Sequence, residues 1–277
     1  MKIKIDDDFD LEKIADSGQC FRFNKSGDGY SVTASDKHLF VKEISPSEYE
    51  FDCSKEDFDN FWKSYFDLDV SYKDIRGRID KGDEYLKRAA AYGEGIRILR
   101  QDPWEMLISF IISQRKNIPA IKASIEKLCA LVGHKIEKNA IGDNIYAFPT
   151  PGEIAKLSDK ELSSCGLGYR DKYVRKAALD VLNGEAELYK WQDLTDDDLM
   201  ERLLKLFGVG VKVANCEILF GYHRLDAFPK DVWINRVLES KYPKGFNFER
   251  YKPYNGVMQQ YLFFYSRSNG VEQEGIL

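Results

Sequence analysis

The stretch FGVGVKVAN, residues 207–215, puts Lys212 two positions after Gly210, where an apolar helix would begin. A helix N-terminus carries the positive end of the dipole and disfavours a further cation. That bias, reinforced by partial burial, favours the neutral form of an amine. A neutral lysine amine is a nucleophile able to form a Schiff base. Two plainer readings compete: a stem lying on apolar surface with its head in solvent, or a cation touching a phosphate. Gly208 and Gly210 flank Val209 in what reads as helix, tight turn, helix. Both glycines can take turn dihedrals that branched residues reach only at a cost, and they leave backbone N–H groups bare at the start of the second helix. Such a start suits phosphate, although most turns of this kind are only turns. A nucleotide P-loop is excluded, because it needs GxxxxGK[ST].

Metal chemistry has no support. The three histidines, His38, His134 and His223, are dispersed, and the five cysteines, Cys20, Cys53, Cys129, Cys165 and Cys216, form no CxxC. The cysteines read as buried small hydrophobes. No cofactor is implied.

The elements that must position Lys212 are mostly helical. DPWEMLISFIISQ opens with Asp102 as cap, Pro103 at the first helical position and Glu105 at the third. Its apolar residues surround the axis, so it reads as central to a core. NIPAIKASIEKLCALVG at 117–133 shows one apolar face through Ile121, Ile125, Leu128 and Val132. Thr150, Pro151 and Glu153 repeat the start grammar. Thr195 with Asp198 opens a helix running to about 207, Val211–Phe220 follows it, and 232–239 and 255–268 supply later helices. Asp231 reads as an N-cap for 232–239, worth about 1 kcal/mol. Residues 18–43 differ: aromatic and β-branched alternation broken by KSGDG predicts strands and a turn. Ser54 with Asp57 predicts a helix start. The expected organisation is α+β, with a mixed sheet and helix module over 1–85. A mostly helical region over 86–277 contains the helix, tight turn and helix at about 195–221.

The chain of 277 residues has 43% hydrophobic and 31% charged residues, an ordinary globular balance. No stretch approaches the roughly 18 apolar residues of a membrane span, and the N-terminus lacks a signal-type apolar run. Cytoplasmic residence is expected. The net charge of −5 counts against nucleic acid. The acid is uneven, however: DDDFDLE at 6–12 and DLTDDDLMER at 193–202 carry much of it, whereas RKNIPAIK at 115–122 and RDKYVRK at 170–176 are locally basic.

Five segments together resemble the eukaryotic-type 8-oxoguanine DNA glycosylases of the helix–hairpin–helix DNA glycosylase superfamily. They are SGQCFRF at 17–23, RQDPWEMLISFIISQRKNI at 100–118, CGLGYRDKYV at 165–174, FGVGVKVANC at 207–216 and FPKDVWINRV at 228–237. The resemblance implies a bifunctional glycosylase and lyase that removes 8-oxoguanine from double-stranded DNA through a lysine Schiff base. It implies Lys212 as nucleophile and Asp231 as the carboxylate stabilising positive charge on the sugar. Gly18 would offer its carbonyl to the ring N–H that oxidised guanine has and guanine lacks. Cys216 and Phe263 would sandwich the flipped base, and Gln259 would read its Watson–Crick edge. Gly208, Val209 and Gly210 would grip phosphate, Tyr169 would wedge into the stack, and Arg170 would contact the unpaired cytosine.

Departures from the family pattern fall on the DNA-binding side. Its run of asparagines is reduced to Asn117, behind Arg115 and Lys116, and Ala120 stands where the family carries a second cytosine-reading arginine. A lost bidentate contact removes about 1–3 kcal/mol of discrimination, so a relaxed preference for cytosine opposite the lesion is expected unless Arg115 compensates. Trp233 stands where the family often has a histidine near the flipped nucleotide's phosphate. Two alternatives remain: a glycosylase for other oxidised or alkylated purines, or a non-catalytic helix–hairpin–helix DNA-binding protein. Lys212 argues against the alkylated-base enzymes, and its coexistence with Asp231 and the Gly18 segment argues against a binding module.

Overall fold

Alternation in the first fifty residues builds a five-stranded antiparallel sheet. A computed structural model describes residues 1–138 and 144–269. The strands are β1 (Lys2–Lys4), β2 (Phe23–Ser26), β3 (Gly29–Ala34), β4 (Lys37–Ser45) and β5 (Glu48–Phe51), in the order β1-β5-β4-β3-β2. The register sets Phe23 opposite Val32, Val32 opposite Leu39 and Val41 opposite Phe51. All five side chains are buried on one face with Ile14, Trp62 and Phe66. The short helix α1 (Leu11–Asp16), capped by Asp10, packs beside β2. β1 lies outside the expected strand region; its Lys/Ile alternation gives a strand three residues long, which pairs with β5.

Most of the other helices form a second core. They include α2 (Glu84–Tyr92), α3 (Pro103–Ser113), α4 (Ile118–Val132), α5 (Asp171–Leu182), α6 (Asp196–Leu204), α7 (Val211–Cys216), α8 (Val232–Lys241) and α9 (Asn255–Asn269). Every residue of α3 from Trp104 to Ile112 is buried, as its all-round apolar sequence predicts. The start grammar is met: the Asp102, Asn117, Thr195 and Asp231 side chains each accept a backbone N–H, and Thr150 and Glu153 close a capping box. The π-helical turn Glu217–Gly221 continues α7 and packs against α3. An expected division at residue 85 falls inside α2, whose apolar face packs on α9; the last eight residues of the 86–277 region lie outside the described residues. Four cysteines are buried, Cys53 is partly so, and all five are free. Among the described residues no helix is long and apolar enough to cross a membrane, and no cluster could hold a metal ion.

Buried polar groups join the two cores. Arg97, fully buried, donates to the backbone of Asp8, Asp67 and Val70 and to Asp7 Oδ1, so part of the acidic N-terminal run is neutralised internally. Glu105 on α3 accepts from the Ser35 N–H of the sheet at 2.8 Å. Burial pushes the Glu105 carboxyl up to about 7, with Arg22 opposing it, and burial raises the Glu217 carboxyl in the same direction. Both hold a proton more tightly folded than unfolded. Their stabilisation is therefore complete below the unfolded value, about 4.3, and is lost as pH rises through the folded one. For Glu105 the loss amounts to about 3–4 kcal/mol at alkaline pH. The expected result is a melting temperature several degrees lower at pH 8.5 than at pH 5.5, with a flatter profile in Glu105→Gln, whose amide mimics the protonated acid. Parallel profiles for the two proteins would rule out Glu105 as the source.

Candidate active site

Lys212 sits at the second position of α7, and Cys216 follows one turn later on the same side of the helix. Lys212 lines an open cleft of about 580 Å³ together with Gly18, Asn117, Asp231, Trp233 and Phe263. A narrower recess of about 60 Å³ shares Gly18, Lys212, Asp231 and Phe263 with the cleft and adds Cys216 and Gln259. Thus the residues expected to do chemistry and to hold the base border one cavity, although they come from four separate parts of the chain. Lys212 Nζ lies 5.1 Å from the centroid of the Phe110 ring. The partial burial expected of this lysine is not found: it is exposed, because α7 begins at the open cleft. The Cys216 thiol is raised by burial, with Lys212 opposing the shift. Asp231 caps α8 through Oδ1, which accepts the Ile234 N–H at 2.8 Å.

Gly18 is held by a buried polar clamp. Gln19 is fully buried; its Nε2 donates to Ser17 Oγ and Arg97 O, and its Oε1 accepts from Leu99 N–H. The turn needs glycine, with φ at 79° and a Cβ that would stand 3.0 Å from Phe263 Cε1. Gln259, Phe263 and Arg267 recur every fourth residue along α9 and so share one face. Gln259 is buried and its Nε2 donates to Pro229 O at 3.0 Å, which leaves its position fixed before any ligand arrives.

The DNA-binding candidates fall into two sets. Asn117 and Trp233 reach the cleft, Asn117 while capping α4 through the Ala120 N–H, and Trp233 with the Arg236 guanidinium 5.5 Å above its ring. Arg115 is exposed at a left-handed φ of 52°, between α3 and α4. Tyr169 is 49% exposed, as a wedge requires. Arg170 departs from expectation: it is buried at 6% exposure, and it donates to the carbonyls of Gln114 and Leu167. Its guanidinium is held under Tyr169, 4.4 Å from that ring, rather than projecting outward. Sequence reasoning missed Gln114, whose Nε2 donates to Gly208 O at 3.0 Å and whose carbonyl receives Arg170. It missed Tyr173 as well, which touches Tyr169 and Phe207 edge to face. A buried-helix end carrying glutamine and an i, i+4 tyrosine pair were the available signals.

The two hairpin glycines turn out to differ. Gly208 has φ 86°, and a Cβ there would lie 2.3 Å from Tyr173 Cγ; Val209 beside it is buried. Gly210 has an ordinary φ of −102° and nothing within 4 Å of its missing Cβ, so of the two only Gly208 uses the turn dihedrals open to glycine. It is the N-cap of α7, which has no side-chain cap, so the first N–H groups of that helix stay available. Gly208→Ala is expected to destabilise the fold by at least about 1–2 kcal/mol, from the left-handed backbone alone. Gly210→Ala is expected to melt like the parent yet bind duplex DNA about tenfold more weakly, its methyl group standing where a phosphate would approach. Melting curves and binding isotherms on both variants check this; unaltered binding by Gly210→Ala would remove the phosphate assignment.

Comparison with known proteins agrees with this geometry. Residues 2–107 match the family model of the 8-oxoguanine DNA glycosylase N-terminal domain, and residues 108–243 match that of the HhH-GPD superfamily of base excision DNA repair proteins. An N-glycosylase/DNA lyase of Saccharomyces cerevisiae is 31% identical over 258 residues, covering 84% of this chain and 68% of its own. A probable N-glycosylase/DNA lyase of Methanothermobacter thermautotrophicus is also 31% identical, covering 74% of each. The crystal structure of Clostridium acetobutylicum 8-oxoguanine glycosylase/lyase, in complex with double-stranded DNA containing cytosine opposite 8-oxoguanine, superposes with a TM-score of 0.90. It is 35% identical and covers 98% of this chain and 99% of that one. With both halves matched and the lysine hairpin facing the Gly18 turn across one cavity, the chain belongs to the 8-oxoguanine DNA glycosylase family of the HhH-GPD superfamily.

Proposed function

We propose that this chain excises 8-oxoguanine from duplex DNA and then cleaves the strand at the resulting site, with Lys212 as nucleophile. One observation supports the reading above the others: Gly18, Lys212, Cys216, Asp231, Gln259 and Phe263 border a single recess. A base inside a duplex is out of reach of an amine, so the lesion must first leave the stack at a cost of a few kcal/mol. Tyr169 fills the gap, and the α7 N-terminus holds phosphate beside it. Gly18 O accepts the ring N–H peculiar to the oxidised base, Gln259 reads its outer edge, and Cys216 and Phe263 cover its faces. Lys212 Nζ then forms a bond to the sugar C1′ as the C1′–N9 bond breaks and the base departs. Asp231 stabilises the positive charge building on the sugar. The C1′–O4′ bond then opens, O4′ taking up the proton that the amine sheds, to leave a protonated imine between Lys212 and C1′. Loss of a C2′ proton from that imine breaks the C3′–O bond and expels the 3′ phosphate.

In this reading residues 86–277 form the catalytic region, two helical subdomains flank the duplex, and the chain acts as a monomer on DNA in the cytoplasm, at the nucleoid if its source is prokaryotic. Incubation with a duplex carrying one 8-oxoguanine tests the activity: free base, a nick at the lesion and a borohydride-trapped adduct are expected. Release of base without any adduct would point to water as nucleophile.

Opposite-base preference follows from the α3–α4 turn and Arg170. Ala120 has no donor, and Arg170 is held under Tyr169. Single-turnover rates with each of the four bases opposite the lesion are expected to fall within about tenfold of one another, the range left when a contact of about 1–3 kcal/mol is absent. A cytosine preference of several hundredfold would show that Arg115 or a released Arg170 reads that base.

A further inference from the structure

We propose that Arg267 is a positioning residue for base selection, fastening the Gly18 turn to the helix that carries Phe263. The inference rests on the functional reading above and deepens it. Arg267 lies one turn beyond Phe263 on α9, and its Nη2 donates to the carbonyl of Asp16, the last residue of α1. The guanidinium stands over the Phe263 ring at 5.5 Å and the Phe264 ring at 5.9 Å. Its Nη1 comes within 3.8 Å of the point where a Gly18 Cβ would be. One side chain therefore touches both walls of the base recess, the turn on one side and the aromatic lid on the other.

The contact has a consequence for selectivity. A purine and its oxidised form differ at the N–H that Gly18 O is placed to accept, and hydrogen bonds weaken steeply with misalignment. Holding that carbonyl at a fixed distance from Phe263 is what turns one ring proton into discrimination. Gln19 fixes the far side of the turn through Arg97, Leu99 and Ser17, whereas the side facing α9 has Arg267. Stacking on an aromatic face keeps the planar guanidinium in place while it donates.

A substrate pair separates base selection from sugar chemistry. Duplex containing 8-oxoguanine needs the recess, whereas duplex with a preformed abasic site needs only Lys212, Asp231 and the phosphate grip. In Arg267→Met, which keeps length and apolar cover, excision of 8-oxoguanine is expected to fall at least about tenfold, with abasic-site cleavage within about twofold of the parent. Arg267→Lys, which still donates and still carries a cation over Phe263 but lacks the stacked plane, is expected to recover part of the loss. Equal losses on both substrates in both variants would assign Arg267 to DNA binding or stability and overturn the proposal. Unchanged excision in Arg267→Met would overturn it too. Should the parent release no 8-oxoguanine while cleaving abasic DNA, the substrate reading itself fails and this inference falls with it. An active parent with an unaffected Arg267→Met defeats this inference alone.

Discussion

Lys212→Gln is expected to lose base release and strand cleavage together, by about 10⁴-fold or more in single-turnover rate, the scale seen when a nucleophile is removed. Borohydride is expected to trap no adduct. Glutamine preserves the length of the side chain and its hydrogen-bonding tip, and Lys212 is exposed at the second position of α7. The hairpin does not depend on it: Gly208 is locked by Tyr173 and by Gln114, and the core side of α7 is made by Val213, Ala214 and Cys216. Melting temperature should therefore stay near that of the parent, and affinity for a duplex with a stable abasic analogue should change severalfold at most. Rate loss with fold and binding intact isolates the amine as the reacting group. Excision that persists in this variant, with no adduct at any time, would replace it by an activated water.

Much of this site was legible in the sequence because its grammar is local. A cap, a proline and an acid within four residues announce α3, and Thr195 with Asp198 announces the first hairpin helix. Gly-Val-Gly before an apolar run announces the second. Contacts made across the chain left weaker traces. Gln19 and Arg97 are 78 residues apart, Arg267 and Asp16 are 251 apart, and no local spacing links the two members of either pair. Dihedrals were the other blind spot. Gly208 and Gly210 look alike in sequence, yet only Gly208 has a positive φ, and the difference depends on which neighbour occupies the space beside each. Arg170 is the same lesson for a charged residue: its position in GLGYR suggests a surface cation, whereas the Gln114 carbonyl at the end of α3 draws it inward. The net charge of −5 is likewise silent about the cleft, whose lining includes Lys116, Lys212 and Arg267 beside Asp16 and Asp231.

Asp231 has two candidate roles, and a pair of substitutions separates them. As a cap it needs only an oxygen at the right distance from the Ile234 N–H. Asparagine supplies that oxygen and ranks with aspartate at N-caps; alanine does not, at a cost of about 1 kcal/mol. As a catalytic group it needs its negative charge, to stabilise the cationic sugar while Lys212 attacks, and asparagine has none. Removing one preorganised electrostatic group of this kind costs about 10²–10³ in rate. Asp231→Asn is therefore expected to melt with the parent yet excise 8-oxoguanine about 10²–10³ times more slowly. Asp231→Ala is expected to show the same rate loss and a melting temperature lower by a few degrees. Parent-like excision by Asp231→Asn would reduce Asp231 to a helix cap. Rates that tracked melting temperature across the two variants would do the same. If the rate instead follows the charge and the stability follows the oxygen, one carboxylate both starts α8 and serves the reaction, which explains why the helix begins at the wall of the cleft that Lys212 faces.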